Sequence, residues 1–220
     1  MQNKLIKCIR TINEFSRDVF EKLNLGVEIQ DFTEPDLLDG NWYKIFKEYK
    51  KCLEGFDGII SVHGAFLDLN PASCDKRIVD VTRNRYLTSL DIAKNIGAKY
   101  VIFHSQINPW LKDPISRKWR NKRNRAFFRE ILEEIDIGSM VILIENIFDN
   151  DPRQLDELVN SIDLPQIKIC LDIGHAILAD NTKLSEWIEV LKDRIEYIHF
   201  HWNGRIYDDH NPPADADFIL

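Results

Sequence analysis

Short, nearly continuous apolar runs alternate along the chain with longer stretches in which apolar residues recur every three or four positions. The runs are Gly26–Asp31 (GVEIQD), Gly58–His63 (GIISVH), Ala98–His104 (AKYVIFH), Met140–Asn146 (MVILIEN), Ile167–Asp172 (IKICLD) and Glu196–His201 (EYIHFH). Their brevity, their Ile and Val content and their lack of polar alternation predict parallel strands covered on both faces. Leu5–Arg10 is a weaker candidate for a first strand. Between the runs, Ile78, Val81, Tyr86, Leu90, Ala93 and Ile96 mark a helix over Arg77–Ile96, stopped by Gly97. Phe127, Phe128, Ile131, Leu132 and Ile135 predict a helix over Ala126–Ile135. Pro152 opens another, with Asp151 as its cap. Leu184, Trp187, Ile188 and Leu191 predict a last one over Leu184–Leu191.

Strand followed by helix, repeated, implies parallel βαβ units with right-handed crossovers. The expected fold is an α/β, TIM-type (β/α) barrel, a single domain over residues 1–220 with seven strands. A full eight-unit barrel takes about 250 residues, so the eighth unit is expected to be missing at the C-terminal end. The rival architecture, a doubly wound open sheet, would carry a Gly-rich phosphate turn after its first strand. Neither GxGxxG nor a P-loop pattern occurs.

Composition narrows the picture. Hydrophobic residues are 44% and charged residues 30% of the 220, as in a soluble globular domain. No apolar run approaches the roughly 20 residues that span a bilayer. The start, MQNKLIKCIR, has no apolar signal core, so a cytoplasmic location without export is expected. Four cysteines (Cys8, Cys52, Cys74 and Cys170) form no CxxC pair and are expected to be reduced thiols. A net charge of −7 argues against nonspecific nucleic-acid binding. Arg117, Lys118, Arg120, Lys122, Arg123, Arg125 and Arg129 form one basic stretch, readable as a nucleic-acid groove or as a solvated loop and helix face.

The candidate chemistry sits at strand ends. His63, His104, Glu145, Asp172 and His199 end five of the predicted strands, separated by about one or two βα units each. Charged groups at the end of a buried strand are costly unless paired or metal-bound. A parallel barrel gathers its strand ends on one face, where these side chains can meet. Nitrogen and oxygen donors of this kind suit zinc, manganese or cobalt. Asp172 and His175 fall within one turn after a strand, and Asp208 and His210 are spaced to share a metal. His199 and His201 flank Phe200, and only one of the two rings is expected to point to the centre. Taken singly, each has a plain structural role: a strand-end histidine as a hydrogen-bonded core residue, Asp172 as a helix cap, Glu145 as half of a buried ion pair. Glu28 either lines the pocket or pairs with a cation. Trp110, Trp119 and Trp202 are expected in strand-end loops, stacking on a sugar ring or base or packing at the rim.

The segments SVHGAFLDLNPAS, AKYVIFHSQ, VILIEN, CLDIGHA and YIHFHW followed by DDH resemble the xylose isomerase-like barrels, a superfamily that includes sugar-phosphate isomerases and epimerases and endonuclease IV. The resemblance runs from about Gly26 to His210. It implies, for an endonuclease IV-like protein, up to three zinc ions held by His63, His104, Glu145, Asp172, His175, His199, Asp208 and His210. For an isomerase-like protein it implies one divalent metal on Glu145, Asp172 and His199. Both groups add a glutamate from an eighth strand, and the sequence reaches Leu220 before one could form.

Three readings follow. The first is a metal-dependent sugar or sugar-phosphate isomerase or epimerase working through an enediolate. Glu145 would be ligand and general base, His175 a substrate contact or proton relay, and Glu28, His63, His104, Trp110 and Trp202 substrate contacts. The second is an endonuclease IV-like zinc enzyme cleaving DNA at abasic sites, the one reading with a nucleic-acid partner. The third is a degenerate or partial barrel that binds a ligand without turnover. Unpaired barrel edges make a homo-oligomer a possible way of closing it, and no membrane partner is expected.

Overall fold

The computed structural model describes residues 5–178 and 182–213. Its strands are β1 (Ile6–Ile9), β2 (Gly26–Ile29), β3 (Ile60–His63), β4 (Tyr100–His104), β5 (Val141–Glu145), β6 (Ile167–Asp172) and β7 (Ile195–His199). They follow one another in chain order in a single seven-stranded sheet, the α/β topology of a TIM-type fold. The helices are α1 (Arg17–Lys22), α2 (Pro35–Asp39), α3 (Trp42–Cys52), α4 (Lys76–Ile96), α5 (Pro114–Glu134), α6 (Pro152–Ile162), α7 (Ile173–Leu178) and α8 (Leu184–Leu191). Every apolar run is a strand, the weak Leu5–Arg10 candidate included. No described helix is long and apolar enough to cross a membrane.

Contacts divide the chain into two compact units, Met1–Phe103 with Ile131–Ile142 and His104–Glu130 with Leu143–Leu220, so the division falls within β4 and β5. In the first unit β1, β2, β3 and β4 pair in parallel, with Ile6 opposite Gly26, Val27 opposite Ile60 and Val62 opposite Val101. Lys99 O accepts from Val141 N at 2.9 Å, which adds the start of β5. Burial on both faces explains the unbroken apolarity of these strands: Val27, Ile29, Val62, Val101 and Ile102 have no exposed surface. Tyr86 of α4 stacks on Phe103, centroids 3.8 Å apart, and the phenol is held above its ordinary range by burial. Gly64 lets that ring lie close, since a Cβ there would sit 2.2 Å from Phe103 Cε1.

Helix α4 begins where Asp75 accepts from Arg77 N at 2.8 Å and ends at Gly97, in the left-handed region at φ 76°. Nothing lies within 4 Å of a Cβ built on Gly97. A Gly97→Ala substitution therefore meets backbone strain alone. It should lower stability by about 1 kcal/mol in a urea titration. A midpoint equal to wild type would contradict that cap.

The second unit holds the end of β5, then β6 and β7, with α6, α7 and α8. Cys170 pairs with Tyr197 and Asp172 with His199, after a bulge between Ile169 and Cys170. Helix α6 is capped by Asp151, which accepts from Arg153 N at 3.0 Å, and Pro152 occupies the first turn as anticipated. Helix α5 departs from the expected Ala126–Ile135 by beginning at Pro114. Its first three turns are largely basic and polar, with Ile115 and Trp119 too few to form an apolar stripe, so hydrophobic periodicity could not reveal them. Asp113 accepts from Ser116 N at 2.7 Å and marks the start. Several of the basic side chains are tied down: Arg117 to Glu157, Arg125 to Asp163, Arg120 to the Gln106 carbonyl, and Arg123 over the Trp119 ring. Trp119 consequently lies in α5 and not in a strand-end loop.

Candidate functional site

Within the second unit, four strands deliver one side chain each to a common point. Glu145 ends β5, Asp172 ends β6, His199 ends β7 and His104 ends β4. Glu145 and Asp172 are each only 1% exposed, so two carboxylates are buried side by side among imidazoles. His199 Nδ1 lies 2.9 Å from Glu145 Oε1 and 3.6 Å from Asp172 Oδ2. His104 Nε2 is 3.6 Å from Glu145 Oε2, and His175 Nδ1 is 3.6 Å from Glu145 Oε1. Asp172 also accepts from His175 N at 2.7 Å, so the cap reading and the ligand reading describe the same carboxylate.

Both rings of the His199–Phe200–His201 triplet reach the cluster, against the expectation that only one could. Residues two apart in an extended segment share a face, and the one between them points away. Phe200 is accordingly 55% exposed. His201 Nε2 lies 2.9 and 3.0 Å from the two oxygens of Asp172, closer than His199 comes. Gly174 makes room for it, because a Cβ there would sit 2.0 Å from His201 Cε1. Gly174→Ala should displace that ring or shift α7, costing about 1–3 kcal/mol as an overpacking change. An unchanged urea midpoint would show that the two do not touch.

A second group of donors adjoins the first. His175 Nε2 lies 3.1 Å from Asp208 Oδ2, and His210 Nδ1 lies 3.0 Å from the same oxygen. His210 stacks on His201 with centroids 4.1 Å apart and has a left-handed backbone, φ 50°. Donor atoms of His175, His201, Asp208 and His210 fall within 4.8 Å of one another, as do those of Glu145, Asp172 and His175. Of the residues predicted for a metal, His104, Glu145, Asp172, His175, His199, Asp208 and His210 therefore meet in this unit.

Backbone anchors hold the cluster. Asn146, fully buried, donates from Nδ2 to Asp172 O at 2.9 Å and accepts at Oδ1 from Asp172 N at 2.8 Å. Its own carbonyl lies 2.8 Å from His175 Nδ1, which orients that ring with Nε2 toward Asp208. Buried Asn203 donates to Gly174 O at 2.8 Å. Ser105 donates to Asp149 Oδ2 at 2.6 Å, and burial pushes Asp149 up to about 6 despite that bond. Asn146, Asn203, Asp149 and the inward face of His201 do not stand out from the sequence. Only the last had a signal, its spacing of two from His199.

Electrostatics match the geometry. Burial works to raise Asp172, yet hydrogen bonds from His199 and His201 and the charge on His175 outweigh it and hold the carboxyl below its ordinary range. For His175 burial works downward, while the hydrogen bond to Asp208 and the charges of Asp172, Glu145 and Asp208 push it up to about 9. His201 Nδ1 is buried without a hydrogen-bond partner, and the nearest Asp208 oxygen is 3.8 Å away. Two buried carboxylates, several imidazoles and an unpartnered ring nitrogen make a donor set that fits a borderline divalent cation.

Glu28 and His63 belong to the first unit. Glu28 is fully buried within β2 and accepts from Gln30 Nε2 at 3.1 Å. His63, 5% exposed, has Nδ1 3.0 Å from Gly64 O and its ring edge-on to Phe66. Trp110 lies in the loop after β4 and is 86% exposed. Trp202 is fixed by paired backbone hydrogen bonds with Asn211 at 2.9 and 2.7 Å.

Comparison with known proteins places this cluster in context. The uncharacterized protein MJ1311 of Methanocaldococcus jannaschii is 28% identical over 190 residues, covering 78% of this chain, and the chain spans 62% of that protein's length. A second uncharacterized protein of that organism, MJ1614, is 26% identical over 216 residues, covering 86% of this chain and 81% of its own. Among solved structures, the TTHB071 protein from Thermus thermophilus, soaked with ZnCl2, superposes with a TM-score of 0.76 at 23% identity. That match covers 96% of this chain and 82% of the other. A D-tagatose 3-epimerase-like protein gives 0.70 at 25% identity, covering 94% and 79%. D-psicose 3-epimerase from Clostridium cellulolyticum H10, solved with D-tagatose, gives 0.66 at 15% identity, covering 91% and 73%. The family model described as xylose isomerase-like TIM barrel matches residues 25–218, a span that takes in β2 to β7 and the whole histidine–carboxylate cluster, and the chain belongs to that family.

Proposed function

We propose that this chain is a divalent-metal-dependent isomerase or epimerase acting on a sugar or sugar phosphate. The observation that carries the reading is the buried Glu145–Asp172 pair at adjacent strand ends, ringed by His104, His175, His199 and His201. The epimerases among the structural neighbours support the substrate class. Glu145 and Asp172, with His175 and His199 or His201, would hold the cation. When bound, it would polarise the substrate carbonyl and offset the charge that develops on the neighbouring oxygens.

The chain's own groups supply the remainder. A carboxylate oxygen of Glu145 takes the proton from the carbon beside the carbonyl, leaving the substrate as an enediolate. His199 Nδ1, 2.9 Å from Glu145 Oε1, orients that carboxylate, and His104 faces its other oxygen. Asn146 fixes both Asp172 and His175 against the backbone, so the cluster keeps its geometry while protons move. Trp202, in the segment after β7, would offer an aromatic surface to the sugar ring. The test is a panel of ketoses and ketose phosphates incubated with protein loaded with Mn, Co, Zn or Mg. Conversion above a protein-free control supports the reading, and none with any metal sinks it.

One observation favours a second reading, an endonuclease IV-like zinc enzyme. His175, His201, Asp208 and His210 offer a donor group beyond the one a single cation needs. Cleavage of an abasic-site duplex by zinc-loaded protein, with no turnover of sugars, would establish it in place of the first.

A further inference from the structure

We propose that Cys170 is a thiolate donor to a divalent cation it shares with Glu145 and His199, and that this sulfur tilts the site toward zinc or cobalt and away from manganese or magnesium. Cys170 lies two residues before Asp172 on β6, so the two side chains share a face of the strand. It pairs with Tyr197, two positions along the ladder from the Asp172–His199 pair. Its Sγ, a Glu145 carboxylate oxygen and a His199 ring nitrogen all lie within 4.8 Å of one another. Three consecutive strands thus contribute one oxygen, one sulfur and one nitrogen donor. Cys170 is fully buried, whereas Cys8 and Cys74 are exposed.

The rest of the cluster agrees with this division of donors. Asp172 is engaged by His201 at 2.9 Å, and His199 leans toward Glu145 at 2.9 Å in preference to Asp172 at 3.6 Å. His199 therefore belongs with the group that contains the sulfur. A divalent cation held by these three donors would take the sulfur as thiolate, because a coordinating thiol is deprotonated outright. On binding, the S–H bond breaks, its proton passes to solvent and a sulfur lone pair bonds the cation, with no change of oxidation state. Soft donors favour zinc and cobalt, while manganese and magnesium favour all-oxygen surroundings.

This inference rests on the reading that Glu145 helps to hold a cation, and cobalt spectroscopy separates the two. Purified protein titrated with Co²⁺ should show visible d–d bands, which report bound cobalt, and a near-ultraviolet charge-transfer band, which reports a cobalt–thiolate bond. Cys170→Ser and Cys170→Ala should keep the first and lose the second. Both should also narrow the preference for zinc over manganese in a competition titration, whereas Cys74→Ser should retain both bands. Cobalt bound without a charge-transfer band, or a band that survives both Cys170 substitutions, overturns the role of Cys170 and leaves the metal reading standing. No cobalt binding at all overturns both.

Discussion

Asp172→Ala should lower divalent-metal affinity by more than about 100-fold, beyond the loss usual for a residue that only supports a ligand. The carboxylate touches His201 through both oxygens, lies beside His175 and His199, and accepts from the backbone N–H that opens α7. The alanine variant should also unfold more easily, because the buried histidines lose the negative charge that pairs with them. Asp172→Asn separates these effects. Its amide oxygen still caps α7, so stability should fall less, but the charge is gone and metal affinity should fall nearly as far. Calorimetric zinc titration and urea unfolding of the two variants read both quantities. If either variant binds zinc as wild type does, Asp172 is a structural cap and nothing more.

The second large effect is expected far from that chemistry. Trp187 has no exposed surface, lies on α8 and is the largest fully buried side chain described. Its truncation leaves a large void, and Trp187→Ala should cost about 3–5 kcal/mol of stability. The indole Nε1 is buried without a hydrogen-bond partner. Trp187→Phe should therefore cost much less, since it keeps most of the ring and removes the unsatisfied donor. Equal losses in the two variants would show that the indole N–H is satisfied after all.

Much of the strand framework was legible because parallel strands buried on both faces leave an unmistakable run of Val and Ile. Residues such as Val27, Val62, Val101 and Ile102 have nowhere polar to face. The site was legible for the complementary reason that Glu145 and Asp172 end such runs and are costly to bury without a purpose. Helix α8 was read to the residue from Leu184, Trp187, Ile188 and Leu191. The first half of α5 was not, because twelve largely basic and polar positions carry no apolar stripe and are held instead by ion pairs to Glu157 and Asp163. Helices α1, α2 and α7 are only five or six residues long, too short to display a period. Asn146 was invisible for another reason. Its role is to bond the backbone of Asp172, and the register that brings the two together exists only once the strands are assembled.

If the histidine–carboxylate cluster holds a divalent cation, metal content per chain will show it. The measurement is elemental mass spectrometry on protein purified without chelator and without a metal-affinity step. The wild type should carry at least one zinc, cobalt or manganese ion per chain, and Asp172→Ala should show a clear loss. Protein that is metal-free as purified and stays so after soaking in excess zinc, cobalt and manganese would contradict it.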